Sequence, residues 1–144
     1  MNHLLILLSA ILIAGISAPA YAQTISDHVV INEVDTNPFG DDSQSISEWV
    51  ELYNPTDSEV DLSGWKIAST TVLQKTLTIP DGTIIGSDKL LKFTHEKIWF
   101  TDSSESVELR NSVDEVIDKA PFISDLENDF LSWQRSYDGY ADWE

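Results

Sequence analysis

The densest grouping of oxygen ligands in the chain is the loop DTNPFGDDSQSISE, from Asp35 to Glu48. Calcium takes about six to eight oxygens from carboxylates, amide oxygens and carbonyls carried on a bending backbone. Asp35, Asn37 and Gly40 match the first, third and sixth positions of a D-x-N-x-x-G calcium loop, but Phe39 stands at the fifth and Ile46 at the twelfth. No flanking helices are expected, so the loop is not an EF-hand. A site here would gather Asp35, Asn37, Asp41 and Asp42, with Glu48 or Glu33 from the adjoining strands. The plainer alternative is a solvated loop in which Asp and Asn cap turns. It is favoured, because the chain carries 25 acids and they are frequent everywhere.

Nucleophilic catalysis finds less support. There is no cysteine and no G-x-S-x-G, and His28 and His95, the two histidines beyond the N-terminal segment, have no metal-ligand spacing. Ser63-Gly-Trp-Lys66 matches S-x-x-K in form but lacks the companion motifs of that chemistry. Carboxylate pairs mean little in so acidic a chain. The reading is of a non-catalytic protein.

Five tryptophans, Trp49, Trp65, Trp99, Trp133 and Trp143, could stack on a carbohydrate or fill a core. Trp65 and Trp133 fall in strand motifs and are expected inside. Only Trp49 with Tyr53, and Trp99-Phe100 in a loop-like stretch, could form an exposed platform, and the core reading is favoured over it. Arg135 is one of only two arginines. It could clamp a ligand carboxylate, but an internal ion pair with Glu33 or Glu51 is the expectation.

The elements that would position these residues are strands and turns. In Glu48–Asn54, Val50 and Leu52 share one face while Trp49, Glu51 and Tyr53 share the other. Asn54-Pro55-Thr56-Asp57 suits a type I turn, and Ser63-Gly64 allows a positive φ before Trp65. Strands are expected at 28–34, 48–54, 59–62, 64–69, 72–79, 83–85, 89–94, 106–110, 115–118 and 131–135, with turns at Pro80-Asp81-Gly82, Gly86–Asp88 and Ser112–Asp114. Many short strands with regular turn signals point to an all-β sandwich.

The stretch ExVELYNPTDxxVDLSGWxI, from Glu48 to Ile67, resembles the core motif of the lamin-tail domain family. INEV at Ile31–Val34, IPDGTII at Ile79–Ile85 and the closing SWQR…DG…W at Ser132–Trp143 agree in order and spacing, so the resemblance covers about residues 28 to 144. It implies an immunoglobulin-like β-sandwich, a non-catalytic module, and core positions for Trp65 and Trp133. The family often has glycine in the 111–114 turn, where this chain has Asn-Ser-Val-Asp.

Residues 1–22 read as a signal peptide: an apolar run of 13 residues from Leu4 to Ile16, then Ala20-Tyr21-Ala22 as an A-x-A cleavage site. The run is too short for a helix across a membrane core of ~30 Å. Its flank departs from the pattern by carrying no Lys or Arg, and an uncleaved anchor is the alternative. Residues 23–144 then form a single domain, lamin-tail-like on the resemblance, that is secreted or held at the cell surface. The leader holds no charged side chain, so this domain bears the whole formal charge of −17. Its lysines are scattered, and nucleic acid, which needs clustered bases, is rejected as a partner. No membrane contact is expected after cleavage, and no cofactor unless it is calcium.

Two functions follow: an exported module docking on an extracellular or cell-surface protein or polymer, or a calcium-dependent binding module using the Asp35–Glu48 loop. Linkage separates them, since a ligand at about a hundred times its Kd stabilises by about 2.7 kcal/mol. The calcium reading predicts that millimolar calcium raises the melting temperature beyond magnesium at matched ionic strength, and that Asp35→Ala abolishes the difference. Equal shifts with the two ions leave the plain module.

Overall fold

In the computed structural model, which describes residues 25–40, 48–71, 73–95 and 98–144, the described residues form ten strands and no helix. They are β1 (Val30–Asp35), β2 (Trp49–Asn54), β3 (Val60–Asp61), β4 (Lys66–Ser69), β5 (Thr76–Thr78), β6 (Ile84–Ile85), β7 (Lys89–Thr94), β8 (Val107–Arg110), β9 (Val116–Lys119) and β10 (Trp133–Gln134). One antiparallel sheet runs β10-β1-β2-β7, a second runs β5-β4-β8-β9, and β3 pairs with β6. Ile31, Val34, Val50 and Leu52 of the first sheet share one core with Ile67, Val107 and Leu109 of the second. This all-β arrangement is consistent with an immunoglobulin-like sandwich.

The alternation read in β2 is the alternation observed. Val50, Leu52 and Asn54 are buried, and Trp49, Glu51 and Tyr53 are half-buried. Asn54 does more than open a turn. Its amide nitrogen donates to the carbonyls of Ser58 (2.8 Å) and Gly86 (3.1 Å), and its oxygen accepts from the Thr56 backbone N–H (3.1 Å) and hydroxyl (2.7 Å). One buried carboxamide therefore holds the proline turn against the turn before β7. Gly64 adopts φ +71, as the corner requires.

The 111–114 turn closes without glycine. Asp114 takes φ +68, and the Asn111 side chain accepts from the backbone N–H of Val113 (3.1 Å) and Glu115 (3.0 Å). An Asp tolerates the left-handed region better than most residues, and the local bonds from Asn111 hold the loop in that shape. The strand expected over 72–79 shrinks to Thr76–Thr78, preceded by Gln74 at φ +48, a conformation no ladder accommodates.

Arg135 is buried, but its partner is neither Glu33 nor Glu51. Its Nη2 donates to Asp118 Oδ2 of β9 at 2.8 Å, its Nε to the Ile31 carbonyl at 2.7 Å, and its Nη1 to the Tyr140 carbonyl. Asp118 Oδ2 also accepts the Ile31 N–H at 2.7 Å, and the guanidinium lies 5.2 Å from the Trp143 ring centre. The pairing of β10 with β1 places Arg135 beside Asp118, whereas Glu33 is bonded to the Ser132 hydroxyl. Removing one member of a buried pair strands the other and costs about 3–5 kcal/mol. Arg135→Ala is therefore expected to lower stability in urea by that amount, and a chain truncated after Leu131 to lose cooperative melting. A truncated chain that melts near the full-length temperature would show that the first sheet does not need β10.

Candidate functional site

Three of the residues expected to gather around calcium, Asp35, Asn37 and Glu48, have hydrogen-bond partners within the fold. Asp35 is buried at the end of β1, and its Oδ1 accepts the Asn37 N–H at 3.1 Å in an Asx turn. The Asn37 side chain donates to the Asp125 carbonyl at 3.1 Å and accepts from Asn128 at 3.2 Å. Glu48 is fully buried, and its Oε2 accepts the backbone N–H groups of Trp99 and, at 2.8 Å, Phe100. Asp41 and Asp42 lie outside the described residues. Among the described residues, no group of three His, Cys, Asp or Glu side chains is placed to hold a metal ion.

What faces Asp35 is Asp125, from the stretch after β9. Burial first, and then the charge of Asp125, push the Asp35 carboxyl up to about 6 against the opposing bond from Asn37. Burial and the nearby Asp129 likewise raise Asp125. The acidic neighbourhood is thus built by the 35–37 and 125–129 segments together, a juxtaposition that no local pattern announces.

The favoured core reading of the aromatic residues holds for Trp99 and Phe100. Trp99 and Phe100 are wholly buried and stacked at 4.5 Å, so the loop-like stretch is core. The two N–H groups that Glu48 binds belong to these residues, which explains how an irregular backbone sits inside. Glu105, equally buried, accepts from the Ser69 and Thr71 hydroxyls (3.0 and 2.8 Å) and from the Ser106 N–H (2.8 Å). Sequence reasoning missed Glu105 entirely. Trp49 is half-buried with Lys92 Nζ 3.3 Å from its ring centre, a cation–π contact, and Tyr53 bonds Asp88 at 3.3 Å. Trp65, Trp133 and Trp143 pack partly buried against the core.

The S-x-x-K residues have separate structural partners. Lys66 pairs with Asp114 at 2.7 Å, and Ser63 Oγ accepts the Gly82 N–H at 2.8 Å. Around Lys66, the outward face of the second sheet forms an open hollow of about 580 Å³ floored by strand side chains. Most of its charge is paired internally: Glu108 binds both Arg110 and Lys119. Burial works against ionisation of Glu108, but the bonds from Lys119 and Arg110 hold its carboxyl below the usual range.

Sheet order, corner motif and proline turn are now in view, and the comparison with family profiles agrees with them. The Lamin Tail Domain profile matches residues 22–123. The chain belongs to the lamin tail domain family. Lamin tail domains are non-catalytic immunoglobulin-like domains that generally serve protein interaction. The match stops at Ile123, so β10, Arg135 and Trp143 of this lamin tail domain lie beyond it. A search of curated proteins finds no match.

The Asp35 carboxyl sets a pH dependence. Above about pH 6 it is ionised in both folded and unfolded chains, and its burial together with the charge of Asp125 then costs the folded state stability. As pH falls from about 6 toward 3.8 the folded chain takes up the proton first, and this penalty disappears. Asp35→Asn keeps the acceptor for Asn37, so it is expected to raise the melting temperature at about pH 8 and to have little effect at about pH 4. Equal effects at both values would mean that Asp35 titrates normally.

Proposed function

We propose that this lamin tail domain is an exported, non-catalytic interaction module that docks on a protein or polymer outside the cytoplasm. The observation that carries the reading is family membership in a lineage of interaction domains. The surface fits it. The buried carboxylates Glu48 and Glu105 and the pairs around Glu108 stabilise the scaffold, while large apolar side chains stand exposed on the segment after β9. Export rests on the apolar run Leu4–Ile16 followed by Ala20-Tyr21-Ala22. A chain without cysteine needs no oxidising compartment to fold and loses nothing in one.

A formal charge of −17 disfavours phosphate backbones, so the partner sought is a protein or an envelope polymer rather than nucleic acid. The test has two arms. N-terminal sequencing of the protein from its native compartment should begin at Gln23; intact Met1 in the membrane fraction would overturn export by cleavage. The mature chain, residues 23–144, immobilised and challenged with the exported proteome and envelope polymers, should retain a saturable partner. Retention of none above a scrambled-surface control would overturn the module reading.

A further inference from the structure

Four large apolar side chains close together in sequence stand largely in water, Phe122 (72% exposed), Leu126 (72%), Phe130 (84%) and Leu131 (72%), and Phe39 (53%) from the segment after β1 is exposed as well. The Phe39 and Phe130 rings stack at 4.6 Å, so these two form one exposed apolar surface. The backbone beneath them is held firmly. Asn128 donates to the Gly40 carbonyl at 2.8 Å and accepts the Gly40 N–H at 2.7 Å, while Pro38 and Asp129 form a β-bridge. Hydrogen bonds that fix two rings in an exposed position preorganise them for contact.

Beside the rings lies a shallow hollow of about 270 Å³ with Leu131 and Trp133 on its apolar side and Asp125, Glu127, Asp129 and Glu144 around it. Phe130 is flanked in the chain by Asp129 and Leu131, which both line the hollow, so ring pair and hollow are carried on one backbone segment. None of these four acids joins an ion pair with a Lys or Arg among the described residues, whereas Glu108, Asp114 and Asp118 all do. An apolar wall with unneutralised carboxylates suits a side chain that is aliphatic along its stem and cationic at its tip. A second copy would set acid rim against acid rim, and an anionic lipid surface would be repelled in the same way.

Resting on the interaction-module reading, we propose that the Phe39–Phe130 pair and the acid-flanked hollow beside Trp133 form the docking site for a basic protein segment. An apolar side chain of the partner lies on the rings, and a neighbouring lysine or arginine enters the hollow.

The test uses the mature chain and a fluorescent peptide of alternating leucine and lysine, read by anisotropy. Saturable binding is expected, weakened about tenfold or more by Phe130→Ala and by Glu127→Gln with Asp129→Asn, and weakened by salt. Val113→Ser, at another exposed apolar position, should leave it unchanged, and equal melting temperatures for all variants show that the fold is intact. A leucine–glutamate peptide should not bind. Binding that ignores Phe130→Ala would reduce the attraction to diffuse charge and overturn the site. Equal binding of the acidic peptide or of anionic vesicles would overturn the cationic partner, and a dimer dissolved by Phe130→Ala would assign the surface to self-association. A partner retained from the exported proteome by wild type and Phe130→Ala alike would leave the module standing and remove this site. Peptide binding through Phe130 with no retained exported partner would do the reverse.

Discussion

One guanidinium closes this sandwich. Arg135 reaches from the last strand of the first sheet to Asp118 on the edge strand of the second, and both touch the backbone of Ile31, through its carbonyl and its N–H. Two antiparallel sheets that share only apolar side chains can slide or splay at their edges, because hydrophobic contact is not directional. A planar group with several donors, held between two strands and a loop carbonyl, fixes the angle at which the edges meet. The register slip between Ile31 and Glu33 in β1 falls beside this contact. It turns the backbone of Ile31 toward Asp118 and Arg135, where an unbroken ladder would direct it to β2.

The same economy of directed bonds explains where the buried acids went. Glu48 and Glu105 sit at zero or near-zero exposure; they accept backbone N–H groups from the irregular 98–106 stretch, and Glu105 also takes the hydroxyls of Ser69 and Thr71. A loop carried through a core must satisfy its amides without a ladder, and a carboxylate with two oxygens can take several at once. Trp99 and Phe100 can then fill the core from a segment with no strand of its own. Acidity in this domain is in part a structural material.

Period-two alternation and turn chemistry made the strands legible. All ten observed strands fall within or beside the expected stretches, and Lys89–Thr94 coincides with its expectation. Those signals are local, and so they survive in a single sequence. What they do not carry is the identity of a partner many residues away. Arg135 could be recognised as an internal cation, but Asp118 became its partner only through the pairing of β10 with β1 and the approach of β9. Glu48 showed its residue type but not its direction, and its Oε2 accepts the backbone N–H groups of Trp99 and Phe100. Trp99 left a platform open, though core was favoured, because nothing periodic surrounds it. Residue type forecasts chemistry, while topology decides which chemistry has a neighbour.

Charge layout ties the scaffold to its surface. The bases that the structure pairs lie chiefly on the second sheet and at Arg135, where they answer Glu108, Asp114 and Asp118. The stretch 125–129 receives none, and Asp125 holds its proton more tightly, through burial first and then through the charge of Asp129. A fold under selection only for stability would gain from placing a lysine there, since opposite charges in contact are mildly favourable even at a surface. This domain instead keeps an uncompensated acidic edge beside two exposed, hydrogen-bond-anchored rings, and Arg135 ties the strand that follows to the core. The lock that completes the sheet therefore also braces the surface next to it, so that the proposed docking site and fold stability share one structural support.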